Sequence, residues 1–365
     1  MSACHTRLPI VLMGLMIACA SEPAWSQETR RLFVDRFRDG IQIGTLGSAA
    51  HAWFYFSADP FVGDDGVATI RRGRLHIEPP TQNTSREPVF THTLGQEGGG
   101  DNPFGLPGGL DHVKWLVYQN HLALSGFAGY DIAPGREIVC SVYQFGGRTY
   151  GTAGHPFGTN VPNANDDLRL AAFAVNTIDF ESFLVADFFL TNEHIYAVYE
   201  RLPFGRTLDN NYAAFTFAIP VASHHPNERH HLQIAWSQSY IRWIVNGREH
   251  FRVDRLGFRL DRALLTLDHG GIEPPAPVVP RQVDCGFGLF TLLDAARPGP
   301  IGLVQLSNVP DFYFDPDVGE PTLEHFVDET SALESRLFGQ GASLDIQRYV
   351  ILDRQQRPGP GNDDR

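Results

Sequence analysis

The sequence contains a single lysine, little cysteine and no long hydrophobic segment. Lys114 is the only lysine among 29 basic residues, and the formal net charge is -13. Because binding to phosphates needs clustered Lys and Arg, this composition argues against a general nucleic-acid binder. The longest apolar run, residues 8–18, is about half the roughly 20 residues of a transmembrane helix. With 42% hydrophobic residues, the chain fits neither a disordered nor a collagen-like class.

The N-terminus has the pattern of a secretory signal. Arg7 precedes the apolar run, and small residues before position 27 predict that residues 1–26 form a signal peptide. Cleavage after Ala20 is an alternative, and residues 16–19 approximate a lipobox, which leaves a lipid anchor at Cys19 open. We therefore expect an exported protein that is secreted, periplasmic or tethered to the cell envelope by lipid, without a transmembrane segment.

Only two cysteines follow the predicted signal peptide, Cys140 and Cys285. In an oxidising compartment an even pair favours a disulfide bond, and two buried thiols are the alternative.

Motifs for cofactors and metals are scarce. The sequence has no phosphate-binding loop, dinucleotide fingerprint or serine-hydrolase elbow, so no organic cofactor is expected. Asp64 and Asp65 could bind Ca²⁺, although an Asp-Gly pair is first of all a turn. The histidine pairs at 224–225 and 230–231 lack a standard zinc spacing, and Pro226-Asn227 between them indicates a turn. The sequence therefore predicts no metal site beyond this calcium alternative.

Short β-branched and aromatic segments, separated by turn residues, predict a β-sandwich or barrel. We expect one domain over residues 27–350 and a disordered tail at 351–365. Residues 330–338 have the caps of a short helix, and the Gly-rich residues 80–110 indicate a long decorating loop. The clearest strand segments begin at Trp53, Val67, Leu75, Glu137 and Leu289.

A chain of hairpins gives the most specific fold signal. Residues 230–236 alternate Leu, Ile and Trp, residues 240–245 alternate Ile, Trp and Val, and an Asn-Gly turn leads to residues 250–253. This pattern resembles the concanavalin A-like lectin/glucanase superfamily, which implies a jelly roll of two curved antiparallel sheets. Segments throughout the mature chain, such as residues 107–115 and 267–271, also resemble an uncharacterised family of exported bacterial and fungal proteins, which implies no activity.

Residues 177–183 are the nearest match to the E-x-D-x-x-E motif of the glucanases that this chain resembles. If residues 176–190 formed one strand, Asp179, Glu181 and Asp187 would share a polar face, while Asn176 and Ile178 would fill the core. The third acid of the motif is missing, so the resemblance carries no intact mechanism. We predict Asp179 and Glu181 as the catalytic pair, with two solvated acids as the alternative.

Two function classes are compatible with these observations. One is a carbohydrate-binding or carbohydrate-active protein that uses the concave sheet face, with Trp53 and Trp115 as an aromatic platform. The other is an isomerase, cyclase or carrier for an apolar small molecule, and a structural envelope protein without a site is a third alternative. The predicted ligand-binding residues are Trp53, Lys114, Trp115, Arg148, Tyr150, His155, Asp187 and His269.

Overall fold

The computed structural model describes residues 29–58, 61–79, 113–154, 162–168, 170–268, 270–291, 304–305, 313–315, 320–322 and 341–356. The predicted signal peptide, the loop at 80–110 and the helix at 330–338 lie outside these residues. Within them, no helix is long and apolar enough to cross a membrane.

Two nine-stranded antiparallel sheets form the sandwich. Sheet A consists of β1 (Arg30–Asp35), β5 (Val67–Arg71), β6 (Arg74–Glu78), β9 (Arg136–Tyr150), β14 (His230–Ser237), β15 (Ile241–Val245), β16 (Arg248–Val253), β22 (Gly341–Ile346) and β23 (Arg348–Gln355). Sheet B consists of β2 (Trp53–Tyr55), β7 (Val113–Gln119), β8 (Tyr130–Asp131), β10 (Ala172–Asp179), β11 (Leu184–Leu190), β12 (His194–Arg201), β13 (Phe215–Ser223), β17 (Leu265–Asp268) and β18 (Gln282–Phe290). The predicted β-sandwich of two antiparallel sheets is confirmed.

The remaining elements are short. Two small sheets contain β3 (Ser57–Ala58) with β4 (Phe61–Val62), and β19 (Val304–Gln305) with β20 (Tyr313–Asp315) and β21 (Glu320–Thr322). In the described part of the chain, single-turn 3₁₀ helices lie at Thr152–Gly154, Pro203–Gly205 and Arg262–Leu264.

The central strands of sheet B follow one another as β17-β13-β12-β11-β10-β18-β7-β2. In sheet A the order is β16-β15-β14-β9-β22-β6-β5, and β23 lies between β9 and β1. The predicted hairpin chain is confirmed as β14, β15 and β16, because alternate apolar residues such as Trp236 and Trp243 point into the core between the sheets.

The core between the sheets joins residues from both of them. Trp236 and Trp243 of sheet A pack in one cluster with Phe173 and Phe188 of sheet B. The Cys140–Cys285 disulfide crosses this core, with 5.8 Å between the two Cα atoms, and links β9 to β18. Alternation along each strand then places the intervening residues of sheet B on its opposite side.

We call that opposite side the outer face of sheet B. A second, separate apolar cluster covers it and includes Leu116, Ala174, Val185, Phe189 and Val198. A strand face turned to solvent is normally polar, so an apolar cluster here marks a face that is covered or that receives a ligand.

The C-terminal boundary predicted at residue 350 is wrong. Strand β23 continues to Gln355 and pairs with β9 from Arg348 onward and with β1 from Tyr349 onward. Tyr349 and Ile351 are fully buried in the core, so residues 351–355 belong to the folded domain.

Candidate functional site

A tight turn divides the segment that was predicted as one strand. Strand β10 ends at Asp179 and β11 begins at Leu184, with Phe183 at a positive φ of 56° between them. Because the chain reverses here, Asp187 lies on the strand beside Asn176 and not farther along the same strand. The side chains of Asn176 and Ile178 therefore point to the outer face, and the predicted assignment of these two residues to the core is wrong.

Asp187 lies in the middle of the outer face and is almost fully buried. Its Oδ2 accepts a hydrogen bond from Asn176 Nδ2 at 2.6 Å, and its Oδ1 accepts one from the Thr177 backbone N–H at 2.8 Å. Tyr118 in turn donates to Asn176 Oδ1. Burial and the charge of Glu200 raise the pKa of Asp187 well above its usual value, and these two N–H donors partly oppose that rise.

Glu200 is the second carboxyl of this face. It lies opposite Val185 on β11, whereas Asp187 lies opposite Val198 on β12, so the two acids are diagonal neighbours on adjacent strands. Such neighbours are about 7–8 Å apart between Cα atoms. Thr216 donates to Glu200 Oε1 at 2.7 Å, and burial raises the pKa of Glu200 to about 7. As a whole residue Glu200 is half-buried, whereas Asp187 is almost fully buried.

Asp284 is a third buried carboxyl on β18. Its Oδ1 accepts the backbone N–H of Cys285 at 2.8 Å, and its Oδ2 has no hydrogen-bond partner. Burial raises the pKa of Asp284 well above its usual value. A buried polar atom without a partner destabilises the folded state by about 1–3 kcal/mol, so such an atom is typical of a site that receives a ligand.

Glycine at position 286 allows these groups to meet. Gly286 lies between Tyr118 on β7 and Asn176 on β10. An added Cβ would come within 2.7 Å of Tyr118 Cδ1 and 2.3 Å of the Val117 carbonyl oxygen. Glycine therefore leaves the space in which the Tyr118 ring crosses β18 to reach Asn176.

The predicted catalytic pair occupies a different place. Asp179 caps the β10–β11 turn, where it accepts the Glu181 backbone N–H at 3.0 Å and the Ser182 hydroxyl at 2.6 Å. Glu181 forms an ion pair with Arg281 on the surface, and the hydrogen bond from Arg281 lowers the pKa of Glu181. Turn geometry and an ion pair account for both acids, so the expectation that they lie on the sheet face with Asp187 is wrong.

The predicted aromatic platform is also wrong. Trp53 and Trp115 are fully buried in the core between the sheets, and Trp53 Nε1 donates to Asp35 Oδ2 at 2.8 Å. Strand alternation points both indoles inward, where a glycan cannot stack on them. Lys114, in contrast, is buried on β7 next to the outer face cluster.

The other predicted ligand-binding residues are distributed over the molecule. Arg148 and Tyr150 lie on β9 of sheet A, on the other sheet of the sandwich, with the Arg148 guanidinium 5.6 Å from the Tyr150 ring centre. His155 and His269 lie outside the described residues. Among the predicted residues that the structure describes, only Asp187 and Lys114 lie on or beside the outer face.

In the described part of the chain, two clusters each bring three possible metal-ligating side chains together. Asp64 and Asp65 belong to neither of them. Calcium binding at Asp64 and Asp65 stays a prediction.

Sequence reasoning missed Glu200, Asp284, Asn176 and Tyr118. The available signal was an ionisable residue inside a strand segment that is otherwise apolar, as in residues 184–190 and 282–290. Acids are almost never fully buried without a specific partner, so acids at such positions indicate a functional or strained site.

The model of the "Family of unknown function (DUF6081)" matches residues 34–355, which is most of the sequence. The chain belongs to this family. The matched range includes Tyr118, Asn176, Asp187, Glu200 and Asp284, which we call the outer face group. A curated relative is "Uncharacterized protein L829" of Acanthamoeba polyphaga mimivirus, which is 26% identical over 397 residues and covers 83% of this chain and 84% of its own.

Solved structures with a similar arrangement include sugar-cleaving enzymes. The endo-β-1,3-glucanase from Pyrococcus furiosus is 11% identical to this DUF6081 chain with a TM-score of 0.40, covering 91% of this chain and 97% of its own. Alginate lyase A1-II′ of polysaccharide lyase family 7 is 9% identical with a TM-score of 0.40, covering 84% and 96%. These similarities assign no activity to the present chain.

Proposed function

We propose that the protein is a carbohydrate-active enzyme that uses Asp187 and Glu200 on the outer face of sheet B as an acid–base pair. The observation that carries this proposal is the pairing of two buried carboxyls on adjacent strands, β11 and β12. Cleavage of a glycosidic bond uses two carboxyl groups about 5–5.5 Å or about 6.5–9.5 Å apart, and the Cα atoms of diagonal neighbours, about 7–8 Å apart, allow two side chains to reach such separations.

The hydrogen bonds assign different roles to the two acids. Both oxygens of Asp187 accept N–H groups, which favours the ionised form and partly opposes the rise in its pKa that burial and the charge of Glu200 cause, so we assign Asp187 as the nucleophile or base. Glu200 has a pKa of about 7 and a second oxygen, Oε2, without a partner among the described side chains, so it can hold a proton at neutral pH. A protonated Glu200 can donate this proton to a leaving oxygen, as general acid catalysis requires.

The charge of the face supports a neutral glycan as substrate. Asp187, Glu200 and Asp284 accept hydrogen bonds only from Asn, Thr and backbone donors in the described part of the chain. None of the three acids forms an ion pair with Arg or Lys in that part of the chain, so we propose a neutral glycan, which needs no cationic partner, rather than a uronic-acid polymer. The free Asp284 Oδ2 is suited to accept a sugar hydroxyl.

The test is product release from a panel of neutral β-glucans, galactans and uronic-acid polysaccharides, analysed by mass spectrometry. We expect oligosaccharides from a neutral glycan with the wild type and at least about a 100-fold loss with Glu200→Gln or Asp187→Asn. The control is Glu181→Gln, which removes a surface acid and is expected to keep full activity. Equal losses in Glu181→Gln and Glu200→Gln, or no product from any glycan, would contradict the proposal.

A second candidate function is conversion of an apolar small molecule by the same acids. It is favoured by the apolar side chains around them, including Leu116, Val185, Phe189 and Val198. Thermal-shift screening with apolar ligands distinguishes the two functions. Only the second candidate predicts that an apolar ligand raises the melting temperature of the wild type and that this increase is lost in Leu116→Asp.

A further inference from the structure

A histidine cluster lies where β9 of sheet A approaches the connection between β13 and β14. His224 follows β13, Glu228 belongs to the turn, and His230 begins β14. One ligand atom from each of these three residues lies within 4.8 Å of the other two. Both imidazoles are buried, whereas Glu228 is exposed. Two imidazoles and one carboxylate therefore converge at a point that solvent reaches from one side.

Distances in the cluster fit the ligand set of a small metal ion. His224 Nδ1 and His230 Nε2 are 3.0 Å apart, and Glu228 Oε2 is 3.9 Å from His230 Nε2. Two nitrogen ligands of tetrahedral Zn²⁺, each about 2.0–2.1 Å from the metal, are about 3.3 Å apart. A slight separation of the two rings is thus enough to admit an ion.

The second nitrogen of His224 is already oriented. His224 Nε2 lies 3.3 Å from the Gly147 carbonyl oxygen and donates its proton there, which leaves Nδ1 as the acceptor that faces His230. Metal-binding histidines commonly use their other nitrogen to donate to a carbonyl in this way.

We propose that His224, Glu228 and His230 form a binding site for a divalent transition metal such as Zn²⁺. Three protein ligands leave a fourth position for water, and imidazole with carboxylate is a ligand set that Zn²⁺ accepts. The site is distinct from the Asp187–Glu200 pair and stands whether or not the protein cleaves glycans.

Asn246 opposes metal binding in a way that can be tested. Its Oδ1 accepts the His231 backbone N–H at 2.9 Å, so its Nδ2 faces His230 Nδ1 at 3.3 Å as a donor. In this arrangement His230 Nε2 carries the proton and donates to His224. Metal binding at Nε2 moves this proton to Nδ1, without net change in proton number, and the bond from Asn246 is lost.

The experiment is a calorimetric titration in which ZnCl₂ is added to the full chain, prepared without a histidine tag. The visible absorption spectrum of bound Co²⁺ is recorded as a second measurement. We expect one equivalent of metal and a tetrahedral Co²⁺ spectrum. His224→Asn or His230→Asn is expected to weaken binding at least about 100-fold and Glu228→Gln about 10-fold. His225→Asn is the matched control, because His225 is exposed, adjacent in sequence and outside the ligand set.

Asn246→Asp is the variant that separates a metal site from a merely hydrogen-bonded histidine pair. A carboxylate at this position accepts both the His231 N–H and the His230 Nδ1–H, so we expect about 10-fold tighter Zn²⁺ binding. The proposal would be overturned if Zn²⁺ binding were unaffected by Glu228→Gln and weakened by His225→Asn. It would also be overturned if the wild type did not bind one equivalent of Zn²⁺. Since Glu228 is exposed, its variant is informative even if a buried histidine variant does not fold.

Discussion

At the residue scale, the proposed function depends on three buried acids. Asp187 and Asp284 each interrupt an apolar strand, Glu200 lies near the end of β12, and all three have a pKa raised by burial. Placing ionisable groups in such surroundings reduces stability, and the arrangement is typical of a site in which an acid must hold a proton near neutral pH. The acids predicted from the sequence, Asp179 and Glu181, instead stabilise a turn and an ion pair.

The change Trp115→Ala tests the placement of the tryptophans at the same scale. Trp115 is fully buried among Tyr55 and Phe287, so we expect the free energy of unfolding to fall by about 3–5 kcal/mol. Urea denaturation measures this loss, and Leu124→Ala, at a side chain that is 96% exposed, is the control expected to stay within about 0.5 kcal/mol. If Trp115→Ala were as stable as the wild type, Trp115 would be a surface residue, as the predicted aromatic platform requires.

At the scale of elements, the sequence predicts hairpins better than it predicts turns. The β14–β16 chain was predictable because apolar alternation and an Asn-Gly turn agree there. The β10–β11 turn was not, because residues 180–183 contain no Gly, Pro or Asn. Capping by Asp179 and the positive φ of Phe183 make that turn, and neither has a strong sequence signal. Because this turn was not predicted, Asp187 was assigned to the same strand as Asp179, and its neighbour Glu200 was not recognised.

Two truncations test the assignment of β23. A chain that ends at Val350 loses most of β23 and its pairing with β1 and β9, so we expect it to be unfolded or strongly destabilised. A chain that ends at Gln356 keeps the whole strand and serves as the control. Circular dichroism and thermal melting compare the two proteins. Equal melting temperatures would mean that residues 351–355 are the disordered tail predicted from the sequence.

For the whole molecule, the fold follows from patterns that recur along the chain, whereas the site does not. Strand alternation and turn residues predicted a β-sandwich or barrel, and the two sheets form a sandwich. The outer face group, in contrast, converges from β7, β10, β11, β12 and β18, which are brought together only by the order of strands in sheet B. Single-sequence reasoning cannot derive that order, so it selected acids that are close in sequence.

The Cys140–Cys285 bond is the covalent link between the two sheets. It joins residues 145 positions apart and therefore restricts the unfolded chain strongly. We expect Cys140→Ser combined with Cys285→Ser to lower the free energy of unfolding by about 2–5 kcal/mol, measured by urea denaturation. Reduction of the wild type should cause a comparable loss. A double variant as stable as the oxidised protein would show that the sheets need no such link.

The central claim is that the outer face of sheet B holds a proton on Glu200 at neutral pH beside a second carboxyl. Infrared difference spectra between the wild type and Glu200→Gln, recorded as the pH is raised, measure this protonation directly. The account predicts a carboxylic-acid C=O band that is present in acid, is lost with a midpoint of about 7, and is absent from the variant. The same comparison for Glu181→Gln should show only an ionised carboxylate at neutral pH, because Arg281 lowers the pKa of Glu181. A Glu200 that is already ionised at about pH 5, near the ordinary range of a glutamate, would contradict the account.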